Sequence, residues 1–366
     1  MKRVSILLIV VFLVSFPISV QGVTASSFLI MEAETQKILD QENGETKLPM
    51  ASTTKIMTAL VVLENTSLHE EVRISSQAVG IEGSSLYIKT NEIYTVEELL
   101  CGLMLRSAND CAVALAGYVG EKVGINFIDL MNAKAIELNL KNTHFMNPHG
   151  LPAKGHFTTA KELAITMAEA MKNEDFCRIT SLKRVKIKDQ TIANHNRLLF
   201  TYQGCIGGKT GYTIEAGRCL VSVAEKDEVK LICVTLGKRD DWNIHSTAYD
   251  EWFAKGEKVE LCKCNSFTVD LPMASGGIIK AINNEKVDAV LFEYDGECDT
   301  RIRAMPFIYG NKDVGDVVGC VEFVVDGKVV GMSSLVLCDS ITVEPKKELL
   351  ISRLFHFFKR FFLKYT

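Results

Sequence analysis

Three short motifs, Ser52-Thr53-Thr54-Lys55, Ser107-Ala108-Asn109 and Lys209-Thr210-Gly211, stand 55 and 102 residues apart, once each and in that order. A chain that uses them as one site must fold so that three distant segments meet. The chemistry explains the residue types. A serine hydroxyl is a weak nucleophile at neutral pH and needs a base within hydrogen-bond reach. On a helix, Ser52 and Lys55 stand three apart and share a face. The Lys55 ammonium must shed its proton to act, and burial beside a second cation, Lys209, lowers its pKa. The run Ile56-Met57-Thr58-Ala59-Leu60-Val61-Val62-Leu63 predicts a helix buried on most sides, with Lys55 at its covered start.

The second motif follows the apolar run Leu99 to Leu105 and precedes another from Cys111 to Val119, so Ser107 and Asn109 are expected on a turn between two buried helices. Asp110 is expected as a helix N-cap. The third motif lies in Gly207-Gly208-Lys209-Thr210-Gly211-Tyr212-Thr213 and precedes two apolar runs, Arg218 to Ala224 and Val229 to Leu236. These predict core strands joined by a hairpin at Lys226-Asp227-Glu228. The glycines around Lys209 permit close approach of a ligand to the backbone. A phosphate loop is excluded, because its first glycine should stand at position 203, where the chain has Gln203.

With these residues in place, the chain resembles the serine-type D-alanyl-D-alanine carboxypeptidases, the low-molecular-mass penicillin-binding proteins, from about Phe28 to Val343. The likeness includes the lead-in Leu48-Pro49-Met50-Ala51 and the stretches Phe145-Met146-Asn147-Pro148-His149-Gly150-Leu151 and Phe157-Thr158-Thr159-Ala160. The resemblance implies that Ser52 attacks the terminal D-Ala-D-Ala peptide bond of a peptidoglycan stem peptide and that Lys55 takes its proton. It implies that Ser107 relays a proton to the leaving amine and that Asn109 orients Lys55 and the substrate amide. Lys209 and Thr210 would hold the terminal carboxylate, with Gly211 leaving room for it. The backbone N–H groups of Ser52 and Tyr212 would form the oxyanion hole. β-Lactams would trap the acyl-enzyme, and neither cofactor nor metal is implied. His149 receives no catalytic role, since Asn-Pro-His-Gly reads equally well as a tight turn at the pocket rim.

Two alternatives are a class A β-lactamase and a wall-binding protein without activity. The first needs a Glu-x-x-x-Asn loop between the second and third motifs. Glu137 and Glu162 lack the asparagine, and Glu169 with Asn173 closes a helical run instead. The second is opposed by three intact motifs.

The implied fold is α+β: a penicillin-binding/β-lactamase-like catalytic domain of sheet and helices with an inserted helical subdomain, residues 26–256, then a small all-β domain, residues 257–345. A hairpin with the favoured Asp326-Gly327 turn marks the second. Residues 1–25 read as a secretory signal peptide, with Lys2 and Arg3 before an apolar run of 13 residues, Val4 to Phe16, broken only by Ser5 and Ser15. Residues 346–366 read as an amphipathic helix lying in a membrane interface. They carry six basic residues and one acid, and Leu350, Leu354, Phe355, Phe358, Phe361 and Phe362 share a face. The expected setting is therefore export to the outer face of the cytoplasmic membrane. Removing the basic tail and leader from the net charge of −4 leaves a strongly acidic body, which excludes nucleic acid as partner. The cysteines number eleven, an odd count, and several sit inside apolar runs, so most read as free thiols. Cys262 and Cys264 are expected on one strand face.

Overall fold

The computed structural model describes residues 25–294 and 296–342. The expected signal peptide, apart from Ala25, and the expected tail helix lie outside these residues. The chain divides into two compact units, one running to Asp250 and the other starting at Glu251.

The first unit opens on a hairpin of β1 (Ser27–Glu32) and β2 (Ile38–Glu42), followed by a 3₁₀ turn, Ala51–Thr54, that runs straight into α1 (Lys55–Asn65). A short ribbon of β3 (Glu71–Arg73) and β4 (Ile93–Thr95) leads to four helices, α2 (Val96–Leu105), α3 (Asn109–Val123), α4 (Phe127–Glu137) and α5 (Ala160–Ala170). After α6 (Glu174–Ser181) come a second ribbon, β5 (Arg184–Ile187) with β6 (Gln190–Ala193), and the short α7 (Leu198–Thr201). Three long strands follow, β7 (Cys205–Thr213), β8 (Gly217–Lys226) and β9 (Val229–Leu236), and then α8 (Asp241–Lys255).

The first two strands and the last three form one antiparallel sheet in the order β2-β1-β9-β8-β7, with Leu29 opposite Val234. Helices α1 to α7 are thus an insertion between β2 and β7, as the expected inserted helical subdomain implied, and only α8 follows the sheet. In α1 every residue from Lys55 to Val62 is buried, because its apolar residues run round the helix rather than along one stripe. The expected turn between β8 and β9 forms at Asp227 and Glu228, both with positive φ (50° and 67°), the twist that two-residue hairpins prefer.

The second unit is all-β. Here β10 (Glu257–Cys262) pairs with β13 (Val287–Leu291), and a five-stranded sheet runs β11 (Thr268–Pro272), β12 (Ile278–Asn283), β16 (Lys328–Leu337), β15 (Val317–Val325), β14 (Asp299–Ala304). Its core includes Leu271, Ile279, Ala281, Val321, Phe323 and Leu335. The Asp326-Gly327 turn joins β15 to β16 with φ of 52° and 77°. Cys262 ends β10 and is buried, whereas Cys264 lies in the following turn and is exposed. The two thiols therefore do not share a strand face, because β10 stops between them.

Candidate active site

Ser52 lies on the 3₁₀ turn rather than on the α-helix that the motif spacing predicted. The consequence for chemistry is favourable, since side chains three apart eclipse one another in 3₁₀ geometry. Threonine hydroxyls pin the turn: Thr53 Oγ1 donates to the Met50 carbonyl at 2.6 Å and Thr54 Oγ1 to that of Ala51 at 2.7 Å. Ala51 itself has φ of 47°, a strained conformation for a residue with a Cβ that persists only where surrounding structure enforces it.

Lys55 is wholly buried, and its Nζ lies 2.8 Å from Ser52 Oγ, 2.7 Å from Asn109 Oδ1 and 2.6 Å from the His149 carbonyl oxygen. Two of these neighbours are acceptors only. A neutral amine has two N–H bonds and one lone pair. Given to Asn109 and His149, the N–H bonds leave the lone pair facing the serine hydroxyl. Burial, then the nearby Lys209 ammonium, hold the Lys55 pKa well below its ordinary 10.5.

The turn at 147–151 places that carbonyl. Asn147 Oδ1 accepts from the backbone N–H of His149 (3.3 Å) and Gly150 (2.7 Å), while Thr58 Oγ1 on α1 donates to the Pro148 carbonyl at 2.7 Å. Gly150 has φ of 92°, and a Cβ there would stand 1.9 Å from the Ala51 carbonyl oxygen. The expected tight turn is present. What it brings to the site is a backbone oxygen 2.6 Å from Lys55 Nζ, which no side-chain pattern announces.

Lys209, also buried, donates from Nζ to Ser107 Oγ at 2.9 Å and to the Thr210 carbonyl at 2.8 Å. Burial lowers its pKa to about 7. Ser107 sits on the turn after α2 with φ of 64°, and Asn109 is the first residue of α3 rather than part of the turn. Strand β7 passes close to the Ser52 turn: a Cβ on Gly211 would come within 2.9 Å of Ser52 N. Thr210 is half-buried, and Tyr212 is exposed at the strand's outer end. All eight expected residues thus fall on three segments, two of which place lysines in the same buried site.

Asp110 does not cap α3. Ala108 occupies the N-cap position, and the Asp110 carboxylate is directed instead at the segment 85–88. Glu169 lies within α5 and accepts from Lys172 Nζ at 2.7 Å, while Asn173 caps α6 through the Phe176 N–H. Helix structure accounts for both halves of the one Glu-x-x-x-Asn match. Among the described residues, no group of three or more His, Cys, Asp and Glu side chains is placed to hold a metal ion.

A serine hydroxyl set against a buried amine, on a sheet with helices inserted between its strands, defines a serine–lysine hydrolase. The chain belongs to the D-alanyl-D-alanine carboxypeptidase family, whose pattern matches residues 15–240. It is 37% identical over 223 residues to D-alanyl-D-alanine carboxypeptidase DacF of Bacillus subtilis, covering 58% of this chain and 57% of that protein. Against DacC of Escherichia coli it is 28% identical over 359 residues, covering 87% and 85%. The structure superposes on that of penicillin binding protein 5 from Haemophilus influenzae with a TM-score of 0.65 at 25% identity, covering 88% of this chain and 98% of that one.

Proposed function

We propose that this chain removes the terminal D-alanine from peptidoglycan stem peptides ending in D-Ala-D-Ala, through an ester on Ser52. The observation that carries this is the Lys55 amine, buried, with its two acceptors and the Ser52 hydroxyl all within 2.8 Å. Lys55 takes the hydroxyl proton as Ser52 Oγ bonds to the carbonyl carbon of the penultimate D-alanine. The N–H groups of Ser52 and Tyr212 stabilise the oxyanion, an interaction worth about 10²–10³ in rate per donor. The peptide C–N bond then breaks, and the leaving amine receives the proton from Lys55 through Ser107. Lys209 and Thr210 hold the carboxylate of the departing D-alanine; a carboxylate beside Lys209 favours its charged form. Water gives its proton to Lys55 as its oxygen bonds to the acyl carbon, the ester C–O bond breaks, and Lys55 returns the proton to Ser52 Oγ, which restores both groups. A β-lactam follows the first half of this course and stalls at the ester.

The test is to incubate the protein with a fluorescent penicillin and, separately, with a pentapeptide ending in D-Ala-D-Ala. The expected result is persistent label on Ser52 together with D-alanine release. Rapid loss of label with β-lactam hydrolysis would point to a β-lactamase, and no label on Ser52 would refute the reading.

The same reading includes export and tethering. Sequence pattern supports this: at helical spacing Arg353, Lys359, Arg360 and Lys364 would oppose the apolar residues of the tail, and each basic residue adds about 1 kcal/mol near anionic lipid. Deleting residues 344–366 is expected to leave activity intact and to move the protein from the membrane pellet to the soluble fraction. A truncated form that still pellets with membranes rules out the anchor. The second unit, without catalytic motifs, serves as a structural spacer.

A further inference from the structure

We infer that Asp110 is a positioning residue for the catalytic amine, acting through a strap that fixes which end of the Asn109 amide faces Lys55. The inference rests on the reaction proposed above. The strap is the segment 76–92, between β3 and β4. Two adjacent residues at the start of α3 bind it. Asn109 donates from its backbone N–H to the Ser84 carbonyl at 2.7 Å and from Nδ2 to the Glu82 carbonyl at 2.5 Å. Asp110, only 1% exposed, accepts from Ser85 Oγ at 2.6 Å, from the backbone N–H of Leu86 at 3.1 Å and Ile88 at 3.3 Å, and from its neighbour Cys111 N at 2.9 Å.

An amide side chain has a donor end and an acceptor end of nearly the same shape. With the Glu82 carbonyl fixed in front of Nδ2, only Oδ1 can face Lys55 Nζ, as it does at 2.7 Å. Turned over, the amide would donate to the Lys55 lone pair and occupy the position from which the amine accepts the serine proton. Nothing in the Asn109 side chain prefers one orientation; the strap carbonyl decides it. What holds the strap at that height is the Asp110 carboxylate, whose donors all come from the strap or its own helix start. Charged and titratable groups facing Lys55 are Lys209 on β7, Asp110 and Cys111 on α3, and His149 on the 147–151 turn. Of these, Cys111 and Asp110 both favour the ammonium form of Lys55, but burial pushes the Cys111 thiol well above its ordinary 9.0 and keeps it neutral, which leaves the Asp110 carboxylate.

Asp110→Asn keeps the side-chain shape and removes one acceptor. Acylation by a fluorescent penicillin, counted per folded molecule, is expected to fall about 10- to 100-fold, the scale of a small misplacement of reacting groups. Its acid limb should move to lower pH, because Lys55 loses a carboxylate that favoured its protonated form. Ser85→Ala, which removes one strap contact and nothing near the amine, should lower acylation by a smaller factor. The double variant should lose less than the product of the two, as expected for residues acting through one contact. A role confined to stability lowers the melting temperature and leaves the rate per folded molecule and the pH profile where they were; that outcome overturns the inference. The wild type serves as the reference: if it takes no label and releases no D-alanine, the proposed reaction falls and this inference with it, whereas a reactive wild type and an equally reactive Asp110→Asn overturn this inference alone.

Discussion

Lys55→Met is expected to lower the rate constant for acylation of Ser52 by about 10⁴-fold or more, since a positioned base supplies about 10²–10⁴ and removal of one member of a cooperating pair can cost more. Methionine fills much of the buried volume, so the folded state should survive and the loss can be assigned to the amine. The measurement is the rate of penicillin labelling on protein shown by circular dichroism to be folded; an unchanged rate removes the amine from the mechanism. The pH dependence follows from the same group. In the proposed mechanism Lys55 acts as a free amine, so wild-type acylation is expected to rise with pH through the Lys55 pKa and level above it, with the limb well below pH 10.5. Removing the Lys209 charge lets that pKa rise, and Lys209→Met should move the limb to higher pH.

The stability consequence has the opposite benefit. Lys209 binds its proton less tightly folded, with a pKa of about 7, than at its ordinary 10.5. Between these values stability rises with pH, and below about 7 the full penalty of the buried cation is present. Lys209→Met is therefore expected to melt at a higher temperature than the wild type at pH 7 while losing activity, a trade-off common at active sites.

Gly150→Ala is the second change expected to act strongly. Its Cβ would stand 1.9 Å from the Ala51 carbonyl oxygen, 2.4 Å from the Ala51 carbonyl carbon and 2.9 Å from Ser52 N, at a φ of 92°. All three contacts are backbone, so relief requires the 147–151 turn or the catalytic turn to move. The expected cost is about 3 kcal/mol or more of stability, from overpacking and an unfavourable φ together. Because the displaced groups are the serine turn and the carbonyl that holds Lys55, acylation of the folded fraction should fall about 10²-fold as well. Thermal unfolding and penicillin labelling check the two effects separately. A variant that keeps both its melting temperature and its rate refutes the close approach.

The parts of the candidate site that could be read from sequence are those whose proposed function depends on side-chain identity. Ser52, Lys55, Ser107, Asn109 and Lys209 announce themselves because hydroxyl, amine and amide are needed at set spacings. The His149 and Glu82 carbonyls do not, since every residue has one and only the fold says where it points. Asp110 was legible as a helix-start acid but not as an anchor, because its partners lie some 25 residues upstream in a segment without regular structure. In the fold, the apolar surround of α1 and the two hairpin turns follow from local pattern. The pairing of β1 with β9 does not, because it joins opposite ends of the first unit through a register that periodicity cannot supply.

The enclosure of Lys55 also means that the reactive pair exists only in the finished fold. In an unfolded chain the amine regains water, carries its proton at any physiological pH, and sits beside a hydroxyl no keener than that of an ordinary alcohol. The protein is thus born dormant: an incomplete or denatured copy has no means of attacking a peptide or an antibiotic, and ripening of its chemistry coincides with the last closing of its interior.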